Sequence, residues 1–412
     1  MRRLAVISLH TSPLAQPGTG DGGGMNVYVR ELTSALARQG AECEVYTRQD
    51  DPGQPRTVTV EPGLRVHYLP AGPVEPVPKE ALAPLTETFA EAVLADLAER
   101  EPVDAVHANY WLSGLVGHRL KHELAVPLLC TFHTLDRVKA EASPEAVSAD
   151  EPQQRAEAEA AVMACSEAVL ASCSVEAGQL VQAYEVERQR IRVVPPAVDH
   201  AFFAPGDRAQ ARRAVGLPVE GRLLLFVGRL QPLKGAPVAL GALELLRERW
   251  PDLSLVVVGG PSGPAGPAHV AELRAQVAEL GLTGRVRFVP PQPHELLSSY
   301  YRAADVCVVP SRSESFGLVA LEAAACGVPV VASAVGGLTT VVVDEVTGLL
   351  VDPPDAAGFA EAIDAVLASP DLAERLAVAA VRHARRYTWD EAASRLLAIV
   401  AEQTTGRLVA CQ

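Results

Sequence analysis

A chain of 412 residues exceeds what one hydrophobic core usually organises, so two domains of about 200 residues each, facing a cleft, are expected. Apolar residues make up 49% and charged residues 21%, and the longest apolar runs, LLLFV and LVVVGG, fall far short of a membrane span, so a soluble globular protein is expected. A net charge of −14 without a long basic stretch argues against broad contact with nucleic acid or an anionic membrane, so an anionic substrate must meet a local cationic pocket.

The start, MRRLAVISLH, has the charged and apolar parts of a signal peptide, but the apolar part is short and runs into TSPLAQPGTGDGGG without a cleavage site. It reads as a buried first strand. After the glycine-rich residues 18–26, Met25, Val29, Leu32 and Leu36 repeat at helical spacing before Gly40. CEVYT, RVHYL, DAVHA, LLCTF and AVLAS then alternate with helical stretches. In the second half LLLFVG, LSLVVVGG, VRFV, VCVVPS and PVVAS take the strand part, with VAELRAQVAELGL among the helices between them. The expected class is α/β, two Rossmann-like doubly wound parallel-sheet domains over 1–203 and 204–385. A last amphipathic helix lies within 386–412; periodicity does not assign its partner, and packing back on the first domain is the arrangement carried forward. Seven cysteines, scattered from Cys43 to Cys411 with Cys130 and Cys307 inside strand-like runs, show no paired metal-ligand spacing. A reducing, cytoplasmic setting follows as the expectation.

Open parallel sheets bind ligands beyond the carboxyl ends of their strands, so motifs that follow a strand and open a helix carry the most weight. GTGDGGGMN lets backbone amides approach an anion at a helix start. Its match to GxGxxG is loose: seven residues separate His10 from Gly18, and no acidic residue clearly ends the second strand. A plain surface turn is the competing reading. In FVGRLQPLKG a strand ends at Gly228 and presents Arg229 and Lys234, two cations suited to a diphosphate, or else two solvated loop charges. In SRSESFGLVALEAAACGVPVVAS, Glu314 and Glu322 stand eight positions apart, slightly over two helical turns. The amides of Ser315, Phe316 and Gly317 would face phosphates at the helix mouth, and Glu322, on an almost wholly apolar helix, requires a hydrogen-bonding partner.

Glu-x7-Glu with SESFG and ACGVPVVAS, together with VGRLQPLKG, resembles the retaining glycosyltransferases of the GT-B fold. HTSPLAQPGTGDGGGMNVYVREL, NYWLSG, HTLDRVK and GGPSG are similar, within that group, to the inositol-3-phosphate glycosyltransferases of mycothiol biosynthesis, and the likeness runs from His10 to about Leu350. The resemblance implies that Arg229 and Lys234 contact the donor diphosphate, Glu322 the ribose hydroxyls and Glu314 the transferred sugar. Gln16, Pro17 and Gly24 would line the donor site, the backbone near Gln292 would meet uracil, and Ser315, Phe316 and Gly317 would face the phosphates. His10 and the loop Asp21, Gly22, Gly23, Gly24, Met25 and Asn26 would touch the inositol ring. Lys79, Tyr110, Thr134 and Arg155 would grip its phosphate, two cations and two hydroxyls from separate loops. The implied catalytic set is His133, Arg229, Lys234 and Glu314; His133, which could equally be a satisfied core histidine, would sit beside the donor sugar rather than act as a general base. Retention is ascribed to front-face attack, although residues alone do not exclude Glu314 or Asp21 as a nucleophile.

The implied reaction moves N-acetylglucosamine from its UDP form to 1D-myo-inositol 3-phosphate, releasing UDP. A sucrose-phosphate-synthase-like hexosyl transfer to another phosphorylated acceptor is the nearest alternative. An NAD-dependent oxidoreductase would use the GxGxxG match but leaves Arg229, Lys234, Glu314 and Glu322 without a role, and a silent sugar-nucleotide binder is the third. No cofactor is required for the chemistry. The resemblance implies a structural magnesium ion on the backbone oxygens of Tyr301, Arg302, Ala304 and Val328, where Val328 replaces a threonine, and it implies a homodimer. The chain departs from its relatives at Asn109, where they commonly carry a second histidine, at PLKG, where they have PLKA, and between Lys139 and Arg155.

Overall fold

The computed structural model describes residues 2–18, 20–142, 152–263 and 265–411. The chain forms two compact units: residues 1–15, 24–195 and 389–412 make the first, and residues 16–23 and 196–388 the second.

The first unit is built on an eight-stranded sheet of β1 (Arg3–Ile7), β2 (Glu42–Arg48), β3 (Thr57–Glu61), β4 (Leu64–Leu69), β5 (Ala105–Asn109), β6 (Leu128–Thr131), β7 (Ala168–Ala171) and β8 (Ile191–Val193). Its order is β3-β4-β2-β1-β5-β6-β7-β8, parallel except for β3, which pairs antiparallel with β4. The central strands β1, β5, β6 and β7 are buried along nearly their whole length, as a sheet covered on both faces requires. The edge strand β3, TVTVE, is half exposed. Its connecting helices are α1 (Gly24–Arg38), α2 (Thr86–Ala98), α3 (Trp111–Leu124), α4 (Asp136–Ala142), α5 (Pro152–Cys165) and α6 (Ser174–Tyr184).

The second unit carries a parallel six-stranded sheet of β9 (Arg222–Val227), β10 (Leu253–Val258), β11 (Val286–Val289), β12 (Val306–Val309), β13 (Val330–Ser333) and β14 (Gly348–Val351), in the order β11-β10-β9-β12-β13-β14. Around it run α7 (Arg208–Ala214), α8 (Ala236–Leu246), α9 (Gly266–Glu279), α10 (His294–Ala303), α11 (Leu318–Ala325), α12 (Leu338–Val341), α13 (Ala356–Ala368) and α14 (Pro370–Ala384). Leu224, Phe226, Leu255, Val257, Leu243 and Phe359 are among the residues of its core, all 2% exposed or less.

The chain then returns to the first unit as α15 (Trp389–Gln403), which packs on α1. Trp389 meets Tyr28 edge-on at 6.0 Å, and Gln39 Nε2 donates to the Asp390 carbonyl at 2.7 Å.

Two domain bounds differ from those expected. The division falls at Pro195/Pro196 rather than 203/204, because residues 198–204 are held by the second unit: Val198 N–H donates to Tyr387 O at 3.4 Å and the Phe203 ring lies 4.8 Å from His294. The second unit runs on to Thr388, three residues beyond the expected end. Cys165 and Cys411, 246 positions apart, form a disulfide in the first unit. Among the described residues no helix is long and apolar enough to cross a membrane.

Candidate active-site residues

In each sheet the strand order reverses once, between β1 and β5 in the first and between β9 and β12 in the second. A crevice opens beyond the carboxyl ends of such neighbouring strands, because their connections leave to opposite sides. Many of the residues singled out in the sequence collect at these two places, Lys79 and the carbonyls of 301, 302, 304 and 328 excepted.

In the second unit β9 ends at Val227 and hands on to Gly228 and Arg229, and Lys234 closes a 3₁₀ turn, 232–234, before α8. Gly235 has φ 72°, and a Cβ there would stand 2.0 Å from the Pro310 carbonyl, so only glycine lets this loop reach the end of β12. From β12 the chain runs through Ser311 to Glu314 and then Gly317, the cap of α11. Lys234 Nζ lies 2.5 Å from Glu314 Oε2, and both side chains are about a fifth to a quarter exposed. Arg229 Nη1 is 3.4 Å from Ser262 Oγ, in the GGPSG loop that follows β10.

The loop 16–23 belongs to this unit as well. Gln16 Nε2 donates to the Pro291 carbonyl at 2.9 Å, Gly18 approaches Pro291, and Gly23 lies so near Arg229 that a Cβ would stand 3.3 Å from its Nε. Gln16, Gly23, Arg229 and the backbone beside Gln292 are thus gathered, with Pro17, Asp21 and Gly22 in the same loop; Thr19 lies outside the described residues. The acceptor loop expected over 21–26 is divided, because Gly24, Met25 and Asn26 open α1 in the first unit. Asn26 is buried there and donates its amide to Thr11 Oγ1 at 2.7 Å and Ser12 O at 2.5 Å, holding the turn that follows His10.

Glu322 is 5% exposed on α11, and its partners come from α10: His294 Nε2 donates to Oε1 at 2.8 Å and Tyr301 Oη donates to Oε2 at 2.7 Å. These bonds offset the desolvation of the carboxylate and fix its plane. Burial, followed by the charge of Glu322, holds the Tyr301 phenol well above its ordinary range, so it stays a donor. Phe316 turns into the core, 5.6 Å from the Tyr387 ring, leaving Ser315 and the Gly317 backbone at the helix mouth.

The carbonyls proposed for magnesium lie elsewhere. Arg302, Ala304 and Val328 line a cavity of about 700 Å³ with Gly221, Arg222 and Asp305, at the amino ends of β9, β12 and β13. That is the opposite edge of the sheet from Arg229, Lys234 and Glu314. The Tyr301 carbonyl already accepts the Ala304 N–H at 3.0 Å, Asp305 is bound to Arg212, and Arg302 points cationic nitrogens at Ala204 O and Ser298 Oγ.

In the first unit, β1, β5 and β6 end beside one another. Tyr110 follows β5 with φ 78°, and His133 follows β6 with φ 62°; such backbone is costly for residues with a Cβ and gathers at functional sites. Tyr110 N–H donates to the Thr131 carbonyl at 2.8 Å, which ties the two strand ends together. His10 lies against the Tyr110 ring at 4.6 Å, and the Arg155 guanidinium covers that ring at 4.9 Å.

Arg155, one of the four residues the resemblance places at the acceptor phosphate, is buried and engaged by its neighbours. It is 3% exposed; Nε donates to Glu159 at 2.8 Å, and Nη2 donates to both Thr134 O and Thr134 Oγ1 at 3.0 Å. Burial alone would lower its pKa, but Tyr110, Glu159 and Asp136 outweigh it and the net shift is upward, so the cation persists. Tyr110, Thr134 and Arg155 are brought together. Lys79 sits on a separate 3₁₀ turn, 79–81, with Nζ 3.5 Å from Glu80.

His133 donates from Nε2 to Asn109 Oδ1 at 2.9 Å. Although partly exposed, its ring is packed closely enough that desolvation, then His107 and His10, push its pKa down to about 3. It is a neutral imidazole under ordinary conditions. Asn109 is fully buried, and its Nδ2 has no hydrogen-bond partner among the described residues. Asn109 was singled out in the sequence as a departure from the relatives, whereas Ser262, and His294 and Tyr301 as side-chain donors, escaped the sequence reading of the site, although GGPSG contains the first of these.

Residues 207–383 match the family model Glycosyl transferases group 1, and residues 23–197 match Glycosyl transferase 4-like domain. The D-inositol 3-phosphate glycosyltransferase of Acidothermus cellulolyticus is 46% identical, with 99% of this chain and 92% of the relative covered. That of Xylanimonas cellulosilytica is 48% identical over 98% of each chain. Among solved structures, sucrose-phosphate synthase from Thermosynechococcus elongatus superposes with a TM-score of 0.90 at 36% identity, over 98% of this chain and 99% of the other. A starch synthase catalytic domain from Arabidopsis thaliana, at 17% identity and a TM-score of 0.76, shares the fold, with 98% of this chain and 99% of that one covered.

Proposed function

We propose that this chain, which belongs to the group 1 glycosyltransferases and within them to the family of the D-inositol 3-phosphate glycosyltransferases, transfers N-acetylglucosamine from its UDP form to 1D-myo-inositol 3-phosphate, releasing UDP with retention of the α-configuration. That it is a glycosyltransferase with the GT-B fold follows from its relatives and its two α/β units. The observation that best supports the finer reading is the convergence of Arg229, Lys234 and Glu314 where the second sheet reverses.

At the donor end, Arg229 and Lys234 neutralise the diphosphate as the glycosidic bond breaks and negative charge gathers on the leaving oxygen. Glu322, oriented by His294 and Tyr301, accepts the ribose hydroxyls, and Glu314 those of the sugar. In front-face attack the acceptor oxygen bonds to the anomeric carbon on the face that the diphosphate leaves, and the acceptor proton passes to the departing phosphate oxygen. No protein base is needed, which suits a neutral His133 that orients rather than ionises. At the acceptor end, Tyr110 and Thr134 present hydroxyls to the phosphate while Arg155 holds them in place and supplies its field from beneath, with Lys79 as the second cation. The protein acts in a mycothiol-type pathway in the cytoplasm, as a homodimer.

The sucrose-phosphate synthase likeness favours a second reading, hexosyl transfer to another sugar phosphate. UDP release from UDP-N-acetylglucosamine and UDP-glucose, each with inositol 3-phosphate, fructose 6-phosphate or unphosphorylated inositol, separates the two. Release that needs inositol 3-phosphate and favours the N-acetylglucosamine donor supports the first. Release only with fructose 6-phosphate moves the function to the second, and none with any pair leaves a silent binder.

A further inference from the structure

Away from these residues, two histidines and two cysteines of the first unit meet. His118 and His122 stand one turn apart on the same side of α3, Cys165 ends α5, and Cys411 lies beyond α15. One ligand atom from each of the four lies within 4.8 Å of all the others. His118 Nε2 and His122 Nε2 are 3.3 Å apart, and His122 Nε2 is 3.1 Å from Cys411 Sγ. The edges of a tetrahedron with Zn–N of about 2.0–2.1 Å and Zn–S of about 2.3 Å measure roughly 3.3–3.8 Å. A disulfide does not require two imidazoles to turn their Nε2 atoms toward its sulfurs, whereas a Cys₂His₂ centre does.

Cys411 is brought here by bonds other than the disulfide. Lys121 and Glu167, both buried, form an ion pair at 2.6 Å. Lys121 Nζ donates to Cys165 O at 2.5 Å and to Val409 O at 3.0 Å, while Val409 N–H donates to Glu167 Oε1 at 2.9 Å. The segment is therefore clamped two residues before Cys411, so a metal meets ligands that are already ordered.

We propose that the reduced chain binds one divalent cation of the zinc class through His118, His122, Cys165 and Cys411. A thiol reductant supplies two electrons and two protons to open the disulfide; the cation then displaces the two thiol protons, giving two thiolates and two neutral imidazoles as ligands. The metal and disulfide forms exclude each other. The disulfide staples the segment after α15 to α5, which carries Arg155, and the metal would staple it to α3 as well, which begins beside Tyr110.

The full chain, without an affinity tag, is purified in a non-chelating reductant and assayed for bound zinc, then stripped and titrated with Co²⁺. About one zinc per chain is expected, with tetrahedral Co²⁺ bands and a thiolate-to-cobalt charge-transfer band. Cys411→Ser and His122→Ala, both on the accessible side of the cluster, should weaken binding at least tenfold, and zinc should raise the melting temperature of the reduced parent but not of the variants. Reduced protein that carries no zinc and gains no stability from it overturns the proposal. So does Co²⁺ binding that lacks the charge-transfer band or survives Cys411→Ser unchanged, since the exposed histidine pair alone would then be the ligand.

Discussion

Lys234 and Glu314 form an ion pair of 2.5 Å across the point where the second sheet reverses, one from the loop after β9 and the other from the loop after β12. Each is a residue that the proposed function places at the donor, and in the structure each holds the other. On the proposed function, donor binding would exchange this contact, the diphosphate taking Lys234 and the sugar hydroxyls taking Glu314. Pairing keeps both groups in a defined place until then.

Lys234→Ala is expected to lower kcat by about 10²–10³-fold with little change in the acceptor KM, because the cation acts on charge that appears as UDP leaves. Steady-state kinetics check it. An unchanged kcat would remove Lys234 from the leaving-group role.

The pH dependence of stability should carry the mark of His133 and His107. Burial lowers their pKa values from 6.5 to about 3 and about 4, so the unfolded chain takes up protons that the folded chain refuses. Stability therefore falls as pH drops from about 6.5 towards 4, and His133→Gln should flatten that slope. Denaturant titrations between pH 4 and 8 measure it. A stability that rises on acidification through this window would contradict the neutral assignment.

Much of this arrangement was legible in the sequence. β9 and β12 are largely buried, mostly apolar runs ended by glycine or by proline and serine, so the loops bearing Arg229, Lys234 and Glu314 could be placed from pattern alone. β3, β8 and β14 were not, since TVTVE is a half-exposed edge, IRV is a three-residue edge with no fully buried position, and GLLV is short and follows no strong turn signal. The need of Glu322 for partners followed from its apolar helix, but His294 and Tyr301 come from a separate helix. Arg155 lies in the polar-looking run QQRAEAEA, which gives no sign that this face is buried. Residues 16–23 join the second unit through the Gln16 side chain and the close approach of Gly18 and Gly23, contacts that leave no periodic side-chain pattern to read.

Arg155→Ala should cost about 3–5 kcal/mol of stability, because it strands Glu159 and Asp136 without their buried cation. Arg155→Lys, which keeps the charge but loses the fork to Thr134, should fold and raise the KM for the phosphorylated acceptor more than it lowers kcat. A KM equal to that of the parent would separate Arg155 from acceptor positioning.

Asn109 offers a buried Nδ2 donor beside His133. Asn109→Ala should reduce kcat/KM for the acceptor about tenfold, the loss of one hydrogen bond, while donor affinity stays within twofold. Calorimetric titration with UDP and acceptor kinetics distinguish the two ends; equal losses at both would indicate a general disturbance of the strand end.

The most direct measurement is identification of the product formed from UDP-N-acetylglucosamine when inositol 3-phosphate and fructose 6-phosphate compete at equal concentration, by mass spectrometry and proton NMR. An α-linked N-acetylglucosaminyl inositol phosphate as the dominant product is the expected result. A fructose phosphate conjugate, a β-linked product or free N-acetylglucosamine alone would contradict it.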